Sequence, residues 1–485
     1  MQAQNATNLC LCRDAAGGRI LLSIQSHMDH LVKRPIIPVA ALAGEVQPPL
    51  QPQPAGALGV EPKHFHSWQE KAIMLGAISA SLLSGTTLLT QDAVKNQANP
   101  TGSAGAHEGR SGHLPMPEKP FMLPEDHALR LASIAVDPVY KDLLSLRTNG
   151  WLGSDVGESI VLSDKKTLWL FGDTFIGRLT NGVRLGGALM INSTIGLQDR
   201  AKAPTDSMTF CWKEKDGQPA SFFPHQATTP GEFYWVTKGA MLRGELFLFA
   251  WCISGNSQNF ATWHESGSAL LRIPNPLEPP AQWIQKAHTL ELPAGHTFHS
   301  ALVVKEPYLF LYGVVQPRQT AVARVRVDDL VKGKLTEAYE YWVSGPDGPR
   351  WDKEAKHCVP QFAPVNTECT VHYEPAWHLF TCFTYDAFSP EIYLTTAKEL
   401  TGPWSTPAPI YWIPEHHRFS FPIISYAVRQ HPELSTKPGE VILSYATNVP
   451  ESMARLFTEE GKDLYVLRFL RVQLELNKKT NEASL

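Results

Sequence analysis

The clearest pattern along the chain is an apolar hairpin that recurs five times. Each copy combines a short strand of small or β-branched residues, a polar turn, and a second strand rich in Leu, Phe, Trp or Tyr. The spacings between successive copies are 80, 61, 69 and 57 residues. A unit that returns at such intervals predicts a repeat architecture built from β-sheets. The copies begin at Ser159, Gly239, Ser300, Cys369 and Tyr426.

Further strands follow each hairpin and set the size of the repeat. Two more apolar stretches follow each of the first four hairpins, whereas only one, LYVLRFLRVQL, follows the fifth. The stretch Leu129–Val136, at the start of the domain, can supply the strand that the last unit lacks. Four strands per unit therefore predict an all-β fold, a five-bladed β-propeller closed by its N-terminal strand. The alternative is one or two β-sandwiches, which would not need a one-strand deficit at the end.

The residues before this domain form three predicted segments. Residues 1–70 contain QPPLQPQPAGALG and no sustained period, which is typical of a disordered, flexible leader. Within residues 71–92, the uncharged run Ala72–Thr90 suits a signal-peptide core, a single membrane anchor or a buried helix. A linker is expected over 93–117 and the propeller over 118–485. We expect a secreted or periplasmic monomer, held at a membrane if residues 72–90 are an anchor.

Composition narrows the classes of function. Charged residues make up 19% of the 485 residues and aromatic residues 10%, with 13 Trp and 38 Pro, which fits a loop-rich all-β protein. A net charge of −4 gives no electrostatic basis for binding nucleic acid or an anionic membrane, whereas a neutral substrate is compatible. The sequence contains no dinucleotide or phosphate-loop fingerprint and no CxxC pair. We therefore expect no cofactor and no metal ligands, with a structural cation in the central channel as an alternative.

Two of the seven cysteines lie in the fourth hairpin. Cys369 and Cys382 fall opposite each other if Tyr373 pairs with His378. Both a cross-strand disulfide and a pair of ordinary buried thiols are compatible with this spacing.

The segment GSDVGESIVLSDKKTLWLFGDTF is the strongest candidate for chemistry, because one hairpin carries two carboxylates at the same end. Asp155 precedes the first apolar run and Asp173 closes the second. If Ser163 pairs with Thr167, Asp173 lies opposite Gly157, two residues along from Asp155. Cleavage of a glycosidic bond needs two such acids: one protonated, for the leaving oxygen, and one ionised, as base or nucleophile. The alternative is that both are ordinary turn and strand-end aspartates.

The propeller geometry gathers further candidates around the same mouth. The innermost strands of a propeller share one direction, so the residues just before them meet at one end of the central channel. Crowded carboxylates in a partly dry funnel push one another's pKa values apart, which lets one acid stay protonated while another is ionised. Glu368 is expected to assist catalysis from a distant blade. The predicted substrate-binding residues are Glu158, Asn192, His299, Trp351 and Tyr426.

Each of these candidates also has an ordinary structural explanation. A glutamate at a strand start can bond backbone N–H groups, and a loop histidine is more often a hydrogen-bonding residue than a catalyst. Asn192 also begins a glycosylation acceptor, Asn-Ser-Thr. Most tryptophans are expected to pack between blades.

Several of these motifs resemble a known family. The GSD run followed by LWLFGDTF, the asparagine of INST, ECTVHYEPAWHLF with GPWSTPAPIYWIPE, and the terminal SYATN are similar to a bacterial domain family of unknown function that includes the endo-D-arabinanases. The resemblance covers about Leu129 to Val472 and implies a five-bladed propeller that hydrolyses D-arabinofuranosyl linkages. It also implies a catalytic pair of aspartates, placed like Asp155 and Asp173, which lie eighteen residues apart.

Three functions are compatible with these observations. The first is an exported glycoside hydrolase that acts on a furanose-containing, arabinan-like polysaccharide, with Asp155 and Asp173 as the acid/base pair. The second is a non-catalytic carbohydrate-binding propeller, which keeps the funnel and the aromatic residues but needs no titrating pair. The third places a cation in the carboxylate mouth, as a structural ion or as part of a hydrolase for another linkage.

Overall fold

The computed structural model describes residues 9–13, 19–21, 121–225, 231–255, 262–315, 319–364, 367–386, 389–450 and 452–477. Nearly all regular structure in these ranges is β-strand, so the prediction of an all-β fold is confirmed. The described helices are α1 (Val327–Val331), α2 (Glu415–Arg418) and 3₁₀ turns at Pro204–Asp206, Pro280–Gln282, Thr336–Ala338, Pro432–Leu434 and Met453–Phe457.

The strands follow one another in the order that the hairpin pattern predicts. In the first half they are β1 (Leu9–Arg13), β2 (Arg19–Leu21), β3 (Leu129–Val136), β4 (Asn149–Ser163), β5 (Lys166–Thr180), β6 (Val183–Arg184), β7 (Leu189–Ile191), β8 (Thr194–Asp199), β9 (Met208–Lys215), β10 (Gln218–Ala220), β11 (Phe233–Leu242), β12 (Glu245–Ser254), β13 (His264–Ile273) and β14 (Lys286–Leu290). In the second half they are β15 (Ala301–Lys305), β16 (Tyr308–Val315), β17 (Gln319–Arg326), β18 (Glu340–Val343), β19 (Arg350–Asp352), β20 (Thr370–Glu374), β21 (Leu379–Tyr385), β22 (Glu391–Ala397), β23 (Ala408–Trp412), β24 (Ile424–Gln430), β25 (Glu440–Asn448) and β26 (Arg468–Leu476).

These strands form five antiparallel sheets. The first sheet has the order β2-β1-β9-β8-β5-β4, with β10 on β9 and with β6 and β7 on β5. The second is β11 to β14, the third β15 to β19 and the fourth β20 to β23, each in sequence order. The fifth runs β24-β25-β26-β3, so the strand at Leu129–Val136 completes the last sheet as predicted.

The five sheets pack on one another in a closed order. Their first strands contact in the sequence β4, β11, β15, β20, β24 and back to β4. One apolar cluster fills each interface; that between the first two sheets joins Leu168 to Leu248. The cluster that closes the order packs Phe171 of the first sheet with Ala446 and Phe469 of the fifth. The ring therefore brings residues near the starts of all five first strands towards one end.

The predicted register of the first hairpin is wrong. Ser163 pairs with Lys166 across a two-residue turn, whereas the prediction allowed three residues there. This shorter turn, together with bulges in β4, moves the second strand by about two positions. Asp173 therefore lies level with Asp155 and not opposite Gly157. The two carboxylates are closer in register than the sequence suggested.

The predicted register of the fourth hairpin is also wrong. Tyr373 pairs with Phe380, because the four-residue turn between β20 and β21 begins at Pro375, one residue later than the predicted pairing places it. Cys382 consequently lies opposite Val371 and not opposite Cys369. Both thiols are buried and neither forms a disulfide, which decides between the two alternatives in favour of buried thiols.

The N-terminal region is described only in part. The strands β1 and β2 pair with each other, and β1 extends the first sheet along β9, so two short pieces of the predicted leader belong to a sheet. The apolar run 72–90 and the linker 93–117 lie outside the described residues, and their assignments stay predictions. No helix in the described ranges combines the length and the apolar character needed to cross a bilayer.

A close backbone approach at Gly313 gives a test of this packing. The chain leading into β15 crosses β16 so closely that a Cβ on Gly313 would lie 1.3 Å from the carbonyl oxygen of Thr297. We expect Gly313→Ala to lower the free energy of unfolding by about 3 kcal/mol, measured by urea denaturation, because the backbone must shift. Gly186→Ala is the matched control: no heavy atom lies within 4 Å of its Cβ. Its change should stay within about 0.5 kcal/mol, and equal effects at both glycines would contradict this account.

Candidate active site

Backbone irregularities mark the end of the ring where the predicted acids lie. The strands β4, β11 and β24 each carry a bulge near that end. Val156, directly after Asp155, has a φ of 66°, and Ala427, directly after Tyr426, has a φ of 53°. Left-handed backbone is costly for residues with a Cβ, and for a β-branched residue above all. Bulges re-aim the side chains beside them, and here they turn Asp155 and Tyr426 towards each other.

Asp173 is held by two nitrogen donors from different sheets. Its side chain is buried, with the residue 2% exposed. Its Oδ1 accepts hydrogen bonds from Asn192 Nδ2 at 3.1 Å and from Trp235 Nε1 at 3.0 Å. Burial raises the pKa of Asp173 to about 6, and the two hydrogen bonds hold it from rising further. The carboxyl is therefore able to change protonation state close to neutral pH.

Asp155 is held by two hydroxyl groups instead. Its Oδ2 accepts hydrogen bonds from Tyr426 at 3.0 Å and from Tyr465 at 3.3 Å. Burial raises the pKa of Asp155 well above its usual range, and the nearby charges of Asp173 and Glu368 raise it further. The two aspartates thus differ in how strongly their surroundings raise the pKa, which is the condition for one carboxyl to be protonated while the other is ionised.

The position of Asp155 explains why the FGDTF motif has a glycine at residue 172. A Cβ on Gly172 would lie 2.3 Å from Asp155 Oδ1 and 2.8 Å from Val156 Cγ2. The carboxylate of Asp155 therefore occupies the space that any larger residue at position 172 would need. The spacing between Asp155 and Asp173 and the glycine between them belong to one packing arrangement.

A buried group of charges lies beside the aspartates. The Arg429 guanidinium donates to the Val156 carbonyl oxygen at 2.6 Å, to Glu158 Oε2 at 2.7 Å and to Glu368. Lys238 Nζ donates to Glu158 Oε2 at 2.8 Å. The side chains of Arg429 and Lys238 are 0% and 2% exposed. Two cations therefore compensate two carboxylates inside the ring.

Tyr465 reaches the site from a loop before β26. Its hydroxyl also donates to the backbone carbonyl oxygen of Asp173 at 3.0 Å, and its φ is 61°. The buried guanidinium of Arg184 donates hydrogen bonds to the carbonyl oxygens of Leu456 and Leu464 in this region. It also donates to the carbonyl oxygen of Leu152 in β4, which fastens the loop to the first sheet. Sequence reasoning missed Tyr465 because it placed this residue inside the apolar run LYVLRFLRVQL, predicted as one strand, whereas β26 begins only at Arg468.

The structure brings together most of the predicted residues, in two neighbouring groups. Asn192 and Tyr426 hydrogen-bond to the aspartates, whereas Glu158 and Glu368 belong to the buried charge group. Trp235 was also missed, although its place in β11, three residues before Lys238, put it near the predicted mouth.

Two predicted substrate-binding residues lie elsewhere. His299 is fully buried against Ser268 and the Trp251 ring, and burial lowers its pKa to about 4. Trp351 lies in β19, the last strand of the third sheet, with the Arg324 guanidinium 4.2 Å from its ring centroid. The structure does not place either side chain against the aspartates. A pocket of about 750 Å³ lies near the opposite ends of the first strands, with Tyr373 in its lining, and contains none of the acidic residues described above.

Within the described ranges, no group of three or more His, Cys, Asp or Glu side chains is arranged to hold a metal ion. Two of the carboxylates predicted to form a cation-binding mouth, Glu158 and Glu368, are paired with Arg429. The third hypothesis placed a bound cation among these carboxylates; in the structure the Arg429 guanidinium lies there instead.

Comparison with known proteins gives a family and a set of similar folds. The model of the family described as "Domain of unknown function (DUF5005)" matches residues 137–474. No curated protein sequence matches the chain. A Bacteroides ovatus structure, provisionally described as a hydrolase, is 18% identical with a TM-score of 0.56, covering 75% of this chain and 97% of that one. At this identity the similarity extends to the fold alone.

Two further structures are more distant. An exo-β-1,3-galactanase from Phanerochaete chrysosporium is 10% identical with a TM-score of 0.37, covering 70% of this chain and 63% of its own. An α-L-arabinofuranosidase from Podospora anserina is also 10% identical, with a TM-score of 0.36, covering 69% and 95%.

The buried charge group predicts a large effect of removing its guanidinium. We expect Arg429→Met to lower the free energy of unfolding by about 3–5 kcal/mol, because the buried Glu368 loses its cationic partner and Glu158 keeps only Lys238. Arg243→Met is the matched control, since Arg243 also pairs with two carboxylates but is 49% exposed. Its effect should be much smaller, because water screens exposed ion pairs. Chemical denaturation of both variants measures the difference, and similar losses would contradict the assignment.

The raised pKa of Asp173 predicts a pH-dependent stability. The folded-state pKa of about 6 lies above that of an exposed aspartate. Ionisation therefore costs stability: the cost is absent below about pH 4, develops between about pH 4 and 6, and stays constant at higher pH. We expect Asp173→Asn to be more stable than the wild type at pH 8, by up to about 3 kcal/mol. Thermal unfolding from pH 4 to 8 tests this; a pH-independent difference would contradict it.

Proposed function

We propose that this chain, which belongs to the DUF5005 family, is a glycoside hydrolase that uses Asp155 and Asp173 as its acid/base pair. The observation that carries the proposal is the pairing of two buried carboxyls with raised pKa values, each held by different donors, where the sheets meet. Neighbouring carboxyl groups whose pKa values are shifted from the usual range are typical of catalytic sites. The Bacteroides ovatus protein of similar fold, described as a hydrolase, is compatible with this class of activity.

The surroundings of the two carboxyls divide the two roles. Asp155 has the more strongly raised pKa, because the charges of Asp173 and Glu368 add to the effect of burial, so it is the acid that protonates the leaving glycosidic oxygen. Asp173 accepts two N–H bonds, which favour its ionised form, so it is the base that activates water or the nucleophile that attacks the sugar. General acid–base catalysis of this kind contributes about 10²- to 10⁴-fold in rate.

The buried charge group assists without touching the reacting bond. Glu368 raises the pKa of Asp155 through its charge and, with Glu158, holds Arg429. Arg429 in turn holds the carbonyl of Val156, directly after the acid. Asn192 donates a hydrogen bond to Asp173 and Tyr426 donates one to Asp155. Of the predicted substrate-binding residues, these two are therefore best placed to reach sugar hydroxyls.

The architecture that we propose around this pair is a five-bladed β-propeller, with each sheet as one blade. The closed contact order of the first strands and the completion of the last sheet by β3 support it. In that arrangement the aspartates lie at one mouth of the central channel, where a polysaccharide chain can pass across the disc.

The proposed substrate is a neutral polysaccharide with furanosyl, arabinan-like linkages. The motif resemblance around GSD and LWLFGDTF supports the furanosyl linkage. The compensation of Glu158 and Glu368 by protein cations also suits a neutral ligand.

A non-catalytic carbohydrate-binding propeller is the second candidate, favoured by the 2% exposure of Asp173. Measured glycan affinity without any released product would support this second candidate.

The test is hydrolysis by the full chain on a panel that includes arabinan and arabinogalactan. We expect Asp155→Asn and Asp173→Asn to lower the rate by at least about 10²-fold while the circular dichroism spectrum is retained. Asp164→Asn is the matched control, since Asp164 is an exposed turn residue of the same hairpin. Full activity in Asp173→Asn would end the proposal, as would equal losses in all three variants.

A further inference from the structure

Trp235 is the residue that links the second sheet to the aspartate pair. It lies in β11, and its indole Nε1 donates to Asp173 Oδ1 at 3.0 Å. The indole is braced by two buried aromatic rings, Phe233 at 5.8 Å and Trp263 at 6.0 Å between centroids. Both contacts are edge-to-face, and the residue keeps part of its surface accessible to solvent. Its ring is therefore fixed in orientation beside the carboxyl without being sealed away.

The indole N–H of Trp235 influences the protonation state of Asp173. An indole nitrogen only donates a hydrogen bond, and the Asn192 amide nitrogen donates to the same Oδ1. Two donors on one oxygen favour the carboxylate over the carboxylic acid. The ionisable groups that face the pair are Asp155 on β4, Tyr465 from the loop before β26, Tyr426 on β24 and Glu368 before β20. Burial and the negative charges among them oppose ionisation of Asp173, and the two nitrogen donors offset part of that effect.

We propose that Trp235 has two functions in the sugar site, an inference that rests on the proposed glycosidase activity. Its N–H keeps Asp173 in the ionised form that a base or nucleophile requires, and its accessible ring stacks on the sugar unit bound next to Asp173. Aromatic rings offer an apolar face to the C–H groups of a neutral sugar. The proposal makes Trp235 a positioning residue for Asp173 and a substrate contact on the side of the second sheet.

Two substitutions separate the functions. Trp235→Phe keeps a ring but loses the donor, so the acidic limb of the kcat/KM profile should move up by about one pH unit with KM nearly unchanged. Trp235→Ala loses the ring as well, so KM should also rise roughly tenfold. Trp342→Phe, in β18 of the third sheet, is the matched control and should change neither quantity. An unmoved acidic limb in Trp235→Phe, or a KM unchanged in Trp235→Ala, would overturn the corresponding function.

A substrate-free measurement distinguishes failure of this inference from failure of the proposed function. Protonation of Asp173 changes the charge on the acceptor of the indole N–H, so tryptophan emission of the full chain should show a transition near pH 6. The transition should be lost in Asp173→Asn, a comparison that leaves Trp235 unaltered. A wild-type titration without that transition would overturn the inference. Its presence without hydrolysis of any glycan would retain the contact and reject the glycosidase.

Discussion

A single buried guanidinium ties three of the five sheets together beside the aspartates. Arg429 belongs to the fifth sheet and donates to Val156 and Glu158 of the first and to Glu368 at the entrance to the fourth. Buried charges are tolerated only when they are paired and hydrogen-bonded, so the three sheets must adopt one relative arrangement to satisfy this group. The positions of the catalytic candidates depend on that arrangement, since Arg429 fixes the backbone directly after Asp155.

The region around the aspartates combines strained backbone conformations with buried ionisable side chains. Val156, Ala427 and Tyr465 all have positive φ. Val156 follows Asp155, Ala427 follows Tyr426, and the hydroxyls of Tyr426 and Tyr465 both bond Asp155. Conformations of this kind persist only where the surrounding structure over-determines them. Here Arg429 and Arg184 do so by donating hydrogen bonds to the backbone carbonyl oxygens of Val156 and Leu152. The site is thus a place where the ring gives up stability in order to hold two acids close together.

The sequence foretold the parts of this protein that repeat. Hairpin periodicity reports which strands are apolar, and it was sufficient for the all-β fold, the order of the strands and the closing role of Leu129–Val136. It does not report where a turn begins or how many residues it holds, which is why both hairpin registers were wrong. The aspartates were recognisable because they share one hairpin. Trp235 joins them through the packing of the second sheet on the first, and Tyr465 through the packing of the fifth sheet on the first. Trp351 was misplaced because aromatic content alone does not reveal which strand of a sheet lies innermost.

The sharing of the last sheet between the two ends of the domain has a consequence for synthesis on the ribosome. Arg130 of β3 and Glu475 of β26 pair across 345 residues. At about 5–20 residues per second, β3 emerges roughly 17 to 70 s before its partner strand exists. During that interval the nascent chain carries an unmatched strand and an open circle of sheets. Vectorial folding can build the sheets one after another, but the aspartate site is complete only when Tyr465 and the last strand have left the exit tunnel.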